Sequence, residues 1–262
     1  MPNTKNDFIY LFFYYTLSQK FMNYSKVTLL LLVKNEIVGL KAILPKIDRS
    51  LFEQILMIDG SSTDGSYEYA LSQNIETHRE KKPGLAEAVI DAYPLIRGKY
   101  VVTFSPDGNS LPELLSPMIN KIAEGYDVVV ASRYLPPAKS YDDNLVTAFG
   151  NYFFTQMTRW LGKAPITDAL NIYKAYRTDL LNTPEMLQFV YGPVLEPLIS
   201  AYACTVGLRY GEIPGDEPKR LSGESKMRIS YNGPCILLML IRLHLFRWIR
   251  FYKLYKSKGQ KK

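Results

Sequence analysis

Three short polar segments of this 262-residue sequence could do chemistry, and each follows directly after an apolar run. They are residues 34–36 (Lys-Asn-Glu), 59–62 (Asp-Gly-Ser-Ser) and 105–109 (Ser-Pro-Asp-Gly-Asn). Carboxylate, amide and hydroxyl oxygens of this kind hold divalent cations or contact the hydroxyl groups of a ribose. A turn explains any one of these segments, but three in succession favour a ligand site.

The common phosphate-binding motifs are missing from the sequence. It has no G-x-G-x-x-G after the first strand and no G-x-x-x-x-G-K-[ST]. These absences argue against standard dinucleotide and P-loop binding. An acidic strand end, in place of a glycine-rich one, suits a site that contacts a ribose and a base or holds a divalent cation.

The hydrophobic pattern predicts the elements that must position these segments. Predicted strands cover residues 27–33, 54–59, 75–80, 99–105 and 127–132, and predicted helices cover 36–47, 64–73, 84–96 and 111–124. Strands that alternate with helices of this length predict an α/β fold with a mainly parallel sheet flanked by helices. Ligands bind beyond the carboxyl ends of the strands in such sheets, and the three polar segments fall there.

The second half of the chain has a less regular pattern. It predicts a helix over 144–161, a strand over 172–176, a helix over 193–203, a strand over 208–213 and a polar loop over 218–226. The sequence contains no internal repeat and no low-complexity linker. We therefore expect one composite domain.

The charge of the chain is unevenly distributed. There are 32 Lys+Arg and 25 Asp+Glu, but eight of the basic residues lie from Arg242 onward, where the sequence has no acid. The rest of the chain is therefore nearly neutral, whereas a nucleic-acid-binding domain spreads its positive charge over a folded face. We expect no nucleic-acid partner. Two Cys and two His also exclude a disulfide framework and a Cys- or His-rich metal site, and they favour reduced thiols.

Six motifs together resemble the inverting family-2 glycosyltransferases with a GT-A fold. They are L-V-K-N-E (32–36), I-D-G-S-S-T-D-G-S (58–66), S-P-D-G-N-S (105–110), A-S-R-Y (131–134), T-D-A-L-N-I-Y-K-A-Y-R (167–177) and R-L-S-G-E-S-K (220–226). The resemblance covers roughly residues 27–230 and is strongest to the polyprenyl-phosphate branch, which includes dolichyl-phosphate mannose synthase. Its motifs are specific jointly and weak singly.

The resemblance implies a binding site for a nucleotide-sugar donor, a UDP- or GDP-sugar. The implied nucleotide-binding residues are Val33, Asn35, Glu36, Asp59, Gly60, Ser61, Lys82, Gly84, Ser105 and Asp107. Asp59 is expected to contact the base and the ribose. Lys82 and Gly84 lie in a segment that a solvated turn explains equally well, and Asp64 is expected to cap the next helix.

The resemblance also implies a divalent cation, Mg²⁺ or Mn²⁺. Asp107 matches the second Asp of the family's D-x-D motif, but Ser105 replaces the first. A cation that bridges both phosphates would stabilise the charge that builds on the leaving diphosphate. We expect Asp107 and Asn109 to be its ligands. Alternatively, cationic side chains take over part of the role of the metal.

Arg133, Arg220, Ser225 and Lys226 match positions that surround the acceptor and donor phosphates in the polyprenyl-phosphate branch. Arginine binds phosphate through two parallel hydrogen bonds, which suits this role. The expected catalytic residues are Asp107, Asp168 and Arg133. A hydroxyl acceptor would need Asp168 as a general base, whereas a phosphate acceptor is already ionised, and Asp168 would then only orient its neighbours.

The two termini suggest contact with a membrane. No segment reaches the roughly 18 to 20 apolar residues that span a bilayer, so we expect no crossing. On a C-terminal helix, one face would hold Ile241, Leu245, Trp248 and Tyr252, and another would hold Arg247, Arg250 and Lys253, as in an interfacial helix. The alternative is that the apolar face packs on the protein's own core. The uncharged aromatic residues 8–15 support membrane contact.

These features predict three regions: an N-terminal aromatic segment (1–26), a GT-A glycosyltransferase domain (27–230) and a basic amphipathic helix and tail (231–262). The predicted activity is transfer of a sugar to a polyprenyl phosphate or lipid-linked glycan, in cell-surface glycan synthesis, at the cytoplasmic inner face of a membrane. Two alternatives stay open. One is a polysaccharide or other hydroxyl acceptor. The other is a non-catalytic, membrane-peripheral subunit, for which Ser105 is the evidence.

Overall fold

A seven-stranded sheet forms the centre of the molecule. The computed structural model describes residues 26–81, 83–162, 164–221 and 228–259, with side chains up to residue 249. The strands are β1 (Val27–Val33), β2 (Gln54–Asp59), β3 (Glu76–Arg79), β4 (Tyr100–Phe104), β5 (Val128–Ser132), β6 (Lys174–Arg177) and β7 (Tyr210–Pro214). Their order in the sheet is β3-β2-β1-β4-β6-β5-β7.

Eight α-helices in the described residues flank this sheet. They are α1 (Ile37–Ile43), α2 (Ser66–Ser72), α3 (Leu85–Asp91), α4 (Leu115–Ala123), α5 (Leu145–Leu161), α6 (Pro184–Leu187), α7 (Leu195–Val206) and α8 (Ile229–Gly259). Among the described residues, two 3₁₀ turns follow α1, one follows α3, one precedes α4 and one follows β6. The expected α/β class with a mainly parallel sheet is confirmed.

Strand β6 is the exception to the parallel arrangement, since it runs antiparallel to both β4 and β5. The pairs β1–β2, β1–β4, β2–β3 and β5–β7 are all parallel. As a result, the start of β6 lies at the same edge of the sheet as the ends of β4, β5 and β7. The loop before β6 therefore joins the loops that follow these three strands. We call this edge the carboxyl edge.

The core lies on both faces of the sheet. All seven residues of β1 are buried, as expected for a central strand covered on both sides. Leu30 and Leu32 belong to the cluster on one face, which includes Leu198 of α7 and Met239 of α8. Alternate residues of β1 belong to the other cluster, which includes Leu40 of α1 and Met118 of α4.

Several helices are shorter than their hydrophobic pattern predicts. The predicted helix 36–47 divides into α1 and a 3₁₀ turn at Leu44–Lys46, and the predicted helix 84–96 ends in a 3₁₀ turn at Tyr93–Leu95. Each turn holds a proline in its first positions, and proline has no N–H to continue an α-helix. The start of α5 agrees with the prediction because Asn144 caps it, accepting hydrogen bonds from the N–H groups of Val146 and Thr147.

Helix α8 corrects one expectation. Its stretch Ile229–Ile249 has a mean hydropathy of 1.4 and is, by length and composition, able to cross a membrane. The expectation that no segment reaches this length was wrong because the polar residues and Pro234 near its start lie inside the helix without ending it. Met239 and Leu243 of this helix are fully buried against α5 and α7, so one stripe of α8 is part of the core.

A second stripe of α8 is exposed. Ile241, Leu245 and Trp248 have 44%, 58% and 72% of their surface accessible. The adjacent helix α5 exposes Phe149 and Trp160, each at 70%. The alternative that the apolar face packs on the protein's own core therefore holds for one stripe of the helix, while the other stripe is exposed. The side chains of Arg250, Tyr252 and Lys253, and the N-terminal segment 1–25, lie outside the described residues.

Candidate active site

A cavity of about 130 Å³ opens at the carboxyl edge of the sheet. Three loops and one strand end line it: the loop after β4, the loop before β6, the loop after β7 and the end of β5. The residues with polar side chains that line it are Ser105, Asp107, Asn109, Ser110, Asn171, Tyr173, Asp216, Glu217 and Arg220. The structure therefore brings the third polar segment together with residues that are up to 115 positions away in the sequence.

Asp107 lies buried in this cavity and is paired with an arginine. Its Oδ2 lies 2.8 Å from Nη1 of Arg220, and its Oδ1 accepts a hydrogen bond of 3.0 Å from the backbone N–H of Asn109. Its backbone carbonyl accepts a 2.8 Å bond from the N–H of Leu221. The segment that contains Arg220 is thus held directly against the loop after β4.

Close packing of α1 fixes the position of this loop. A Cβ atom at Gly39 would lie 2.1 Å from the carbonyl oxygen of Pro106. Real Cβ atoms do not approach this closely, so the contact requires glycine. Gly108 has a φ of 99°, a left-handed conformation that glycine adopts without strain. These two glycines let the backbone turn so that Asp107 points into the cavity.

Asn109 supplies an unused acceptor beside Asp107. Its Nδ2 donates to Oδ2 of Asp142 over 3.0 Å, while its Oδ1 is buried and has no hydrogen-bond partner in the described part of the chain. Together with the Asp107 carboxylate and the Ser105 hydroxyl, this oxygen fits a hard cation such as Mg²⁺ or Mn²⁺. No cluster of three or more His, Cys, Asp or Glu able to hold a metal ion occurs among the described residues. Such a cation would need further ligands from a substrate.

Arg133 and Asp168 form a second, deeper ion pair. Nε and Nη2 of Arg133 lie 2.7 and 3.0 Å from the two oxygens of the fully buried Asp168 carboxylate. Burial alone would raise the pKa of Asp168, but the charge and hydrogen bonds of Arg133 outweigh it and hold the pKa below its usual value. Both oxygens are engaged, which is the geometry of a carboxylate that positions an arginine.

Glu217 is a carboxylate that the sequence analysis missed. It lines the cavity, accepts hydrogen bonds from Ser140 and from Nη1 of Arg133 at 3.2 Å, and burial raises its pKa. Glu217 follows β7 in the same way as Asp107 follows β4. The strand-end rule could therefore have found it. Asp142 was also missed, and it lies between β5 and α5 with no motif to mark it.

The first two polar segments are joined to each other at the ends of β1 and β2. Val33 pairs with Asp59 in the sheet, and the N–H of Gly60 donates to the carbonyl of Val33 over 2.8 Å. Asn35 has a φ of 53° and its Oδ1 accepts a 2.8 Å bond from the N–H of Thr63. These contacts make one continuous polar rim from the two segments.

Asp59 is buried at this rim and also has an arginine partner. Its Oδ2 lies 2.9 Å from Nε of Arg79, and both oxygens accept from the N–H of Ser62 at 3.2 Å. The N-cap of α2 is Gly65 and not Asp64 as had been expected, but the Asp64 carboxylate accepts a 3.0 Å hydrogen bond from the N–H of Ser66 at the start of α2 and a 2.9 Å bond from the N–H of Ile37 at the start of α1. The sequence analysis did not identify Arg79.

The remaining expected residues lie at the same edge or outside the described part of the chain. Glu36 is buried, and its N–H donates to Ser66 over 3.0 Å. Ser61 has a left-handed φ of 59°, and Gly84, with a φ of 146°, immediately precedes α3. Lys82, Ser225 and Lys226 are not among the described residues.

A buried Lys–Glu pair lies beneath the cavity. Nζ of Lys174, the first residue of β6, donates to the backbone carbonyl of Glu196 over 2.6 Å and to Ser200 over 3.0 Å. Burial lowers the pKa of Lys174 and raises the pKa of Glu196 to about 7. Both residues are buried, and neither lines the cavity.

Comparison with known proteins gives a family and a set of relatives. The family model described as "Glycosyl transferase family 2" matches residues 29–183. A dolichol-phosphate mannosyltransferase of Pyrococcus furiosus is 30% identical over 122 residues, 44% of this chain and 35% of that protein. The glycosyltransferase AglJ of Haloferax volcanii is 28% identical over 128 residues, 48% of this chain and 41% of that protein. The matched region spans less than half the length of both relatives.

Solved structures share the fold. Glucosyl-3-phosphoglycerate synthase from Mycobacterium tuberculosis, in complex with phosphoglyceric acid, has a TM-score of 0.65 at 14% identity, over 86% of this chain and 82% of that chain. The same enzyme with Mn²⁺, uridine diphosphate and glucosyl-3-phosphoglycerate has a TM-score of 0.62 at 15% identity, over 87% and 82%. These likenesses confirm the expected GT-A fold.

Proposed function

Because the chain belongs to glycosyl transferase family 2, we propose that it transfers a sugar from a nucleoside-diphosphate sugar, with inversion, to a polyprenyl phosphate or lipid-linked glycan. The main support for this proposal is the arrangement at the carboxyl edge. There Asp107 and Asn109 line a cavity together with Arg220, and Arg133 lies beside this cavity, paired with Glu217 of its lining. The arginines would pair with the anionic diphosphate, and the acidic residue would bind the cation that the diphosphate also holds. Cell-surface glycan synthesis is the process that such an acceptor indicates.

The donor nucleotide would lie along the rim at the ends of β1 and β2. There Val33, Asn35, Glu36, Asp59, Gly60 and Ser61 would contact the base and ribose, with Lys82 and Gly84 at the next loop and Ser105 and Asp107 at the diphosphate. The hydrogen bonds between the two rim segments support a pre-formed surface. We propose a UDP- or GDP-sugar as the donor, and the complex of the mycobacterial enzyme with uridine diphosphate supports the first of these.

We also propose a divalent cation, Mg²⁺ or Mn²⁺. Asp107 and Asn109 would hold it together with the donor, and it would stabilise the negative charge of the departing diphosphate. The unpartnered Oδ1 of Asn109 supports this assignment. The Mn²⁺ in the mycobacterial complex agrees with it.

A phosphate acceptor suits the state of Asp168. An ionised phosphate attacks without a general base, and Asp168 has both oxygens occupied by Arg133 and a lowered pKa. We propose that Asp168 positions Arg133, and that Arg133 and Arg220, with Ser225 and Lys226, bind the phosphates. The dolichol-phosphate mannosyltransferase among the relatives supports this class of acceptor.

One observation favours a second candidate, a hydroxyl acceptor. Glu217 lines the cavity, and burial raises its pKa, so it could remove a proton from a hydroxyl. The mycobacterial enzyme, whose product is named glucosyl-3-phosphoglycerate, has a different acceptor from the dolichol-phosphate relative. The two candidates share a donor site and differ in what Glu217 does.

We propose that the glycosyltransferase domain (27–230) lies peripherally on the cytoplasmic inner face of a membrane, through the C-terminal region (231–262) and the N-terminal segment (1–26). The exposed stripe of α8 with Trp248, and the neighbouring exposed Trp160 of α5, support this location. Basic residues from Arg242 onward would be attracted to anionic lipids.

A transfer assay on the intact protein tests the proposal. Labelled UDP- and GDP-sugars are offered with Mn²⁺ and either a polyprenyl phosphate or the matching polyprenol. A phosphate acceptor predicts product with the phosphate only, and Glu217→Gln should change the rate by less than about tenfold. A hydroxyl acceptor predicts that Glu217→Gln loses on the order of a hundredfold or more. Nucleotide binding without transfer to any acceptor, a glycan included, would instead favour the non-catalytic subunit.

A further inference from the structure

Arg220 occupies the side of Asp107 that faces the cavity. Its Nη1 lies 2.8 Å from Oδ2 of Asp107, and its Nε lies 3.6 Å from Oδ2 of Asp142. The guanidinium thus lies between two carboxylates. Leu221, the residue after Arg220, is held in place by the hydrogen bond from its N–H to the carbonyl of Asp107. Leu221 also packs closely on Gly108, since a Cβ atom at Gly108 would lie 2.6 Å from Cγ of Leu221.

This pairing places a positive charge where a cation would bind Asp107. Ser105 contributes a neutral hydroxyl where the family motif has a carboxylate, so Asp107 is the one acid of the motif. One of its carboxylate oxygens, Oδ2, is already paired with Arg220. A divalent cation that bound the unpartnered Oδ1 of Asn109 together with Asp107 would meet the like-charged guanidinium that is paired with Asp107, which disfavours its binding.

A nucleoside diphosphate would change the charge beside Asp107 and Arg220. Its phosphates bring about three negative charges to the same place, enough to pair with both a guanidinium and a divalent cation. Guanidinium groups bind phosphate oxygens through parallel hydrogen bonds. Arg220 could then exchange the Asp107 carboxylate for the diphosphate, and the released oxygen of Asp107 would become available to the cation.

We propose that Arg220 is the resident counter-cation of Asp107, and that it keeps the divalent-cation site weak until a nucleoside diphosphate arrives. This inference rests on the proposed donor site and adds an order to it: cation and nucleotide bind well only together. Arg220 is a positioning residue for the cation and a direct contact for the diphosphate.

Direct measurement of Mn²⁺ binding tests this role without any turnover. Mn²⁺ is titrated into the intact wild-type protein and into Arg220→Gln, and free Mn²⁺ is followed by electron paramagnetic resonance. Without nucleotide, the variant should bind Mn²⁺ at least about tenfold more tightly than wild type, because the repelling charge is gone. Uridine or guanosine diphosphate should tighten Mn²⁺ binding at least about tenfold in wild type and much less in the variant.

Three further variants make the result specific. Arg220→Lys keeps the charge and should keep Mn²⁺ binding weak. Adding Asp107→Asn to Arg220→Gln should abolish the tight Mn²⁺ binding that Arg220→Gln alone gains. Arg97→Gln is the matched control, since Arg97 pairs with Glu76 at 2.6 Å, outside the cavity lining, and its loss should leave Mn²⁺ binding unchanged.

The inference would be overturned if folded Arg220→Gln bound Mn²⁺ alone no better than wild type, or if wild type bound Mn²⁺ equally well with and without nucleotide. Circular dichroism establishes that each variant is folded. If no nucleotide binds to any form, the proposed donor site fails, while the comparison of Mn²⁺ binding in the absence of nucleotide still decides the role of Arg220.

Discussion

Replacing Asp168 with Asn should destabilise the protein more than any comparable change at its surface. Asp168 is fully buried and accepts two hydrogen bonds from the Arg133 side chain, and two more from the N–H groups of Arg133 and Asn171. The Asn variant removes the closer of the two carboxylates paired with Arg133, whose side chain is only 12% exposed, and leaves Glu217 at 3.2 Å as the other. Removing one partner of a buried ion pair costs about 3 to 5 kcal/mol.

Thermal unfolding of the intact protein measures this loss. For a chain of this size about 3 kcal/mol corresponds to a drop in Tm of roughly 6 to 12 °C. Asp179→Asn is a matched control, because Asp179 also pairs with an arginine, Arg177, but has 57% of its side chain exposed. Exposed pairs are worth about 1 kcal/mol or less, so the control should change Tm by roughly 4 °C at most.

The difference should also depend on pH in a defined direction. Because the folded pKa of Asp168 lies below the unfolded value of 3.8, the ionised carboxylate stabilises the fold above that value. This contribution is lost as the pH falls through the folded pKa. The gap between wild type and Asp168→Asn should therefore narrow in acid. If Asp168→Asn were as stable as wild type at pH 7, or no less stable than Asp179→Asn, the Asp168–Arg133 pair would not stabilise the fold as described.

Burial raises the pKa of Glu196 to about 7, so its protonated form stabilises the fold at low pH, and this contribution is lost as the pH rises through 7. In urea unfolding, the stability of Glu196→Gln relative to wild type should therefore rise by about 2 kcal/mol between pH 5 and pH 8. Parallel pH profiles of the two proteins would contradict this. Gly39→Ala should cost about 1 to 3 kcal/mol because its Cβ meets the carbonyl of Pro106. Gly150→Ala, with nothing within 4 Å, should be neutral or stabilising, so equal effects would be evidence against the clash. Trp248→Ser should weaken flotation with anionic vesicles severalfold, whereas unchanged flotation would place the membrane contact elsewhere.

The strands of the first half were predictable because they are buried on both faces. A continuous apolar run such as Val27–Val33 is typical of a strand in the middle of a parallel sheet, and the polar residues at its end then fall at the carboxyl edge. This reasoning placed Asp59 and Asp107 correctly at strand ends. It would have found Glu217 as well, had the same rule been applied to β7.

Other features depend on contacts that a local pattern does not encode. Nothing in residues 172–176 indicates that β6 runs antiparallel, yet this direction brings Asp168 to Arg133. The pairing of Asp107 with Arg220 joins residues 113 positions apart, and neither the spacing nor the residue types foretell it. The division of α8 into a packed and an exposed stripe likewise depends on α5 and α7 covering one side of it.

Thermal unfolding of the intact protein with UDP, GDP, CDP and their sugar conjugates, each with and without Mn²⁺, is the direct test for a donor site at the carboxyl edge. A nucleotide present at about 100 times its Kd stabilises the fold by about 2.7 kcal/mol, a rise in Tm of roughly 5 to 10 °C. A donor site at the carboxyl edge predicts this rise in Tm with UDP or GDP and Mn²⁺ together, and predicts that Asp107→Asn loses the rise. No rise with any nucleotide would contradict a donor site at the carboxyl edge.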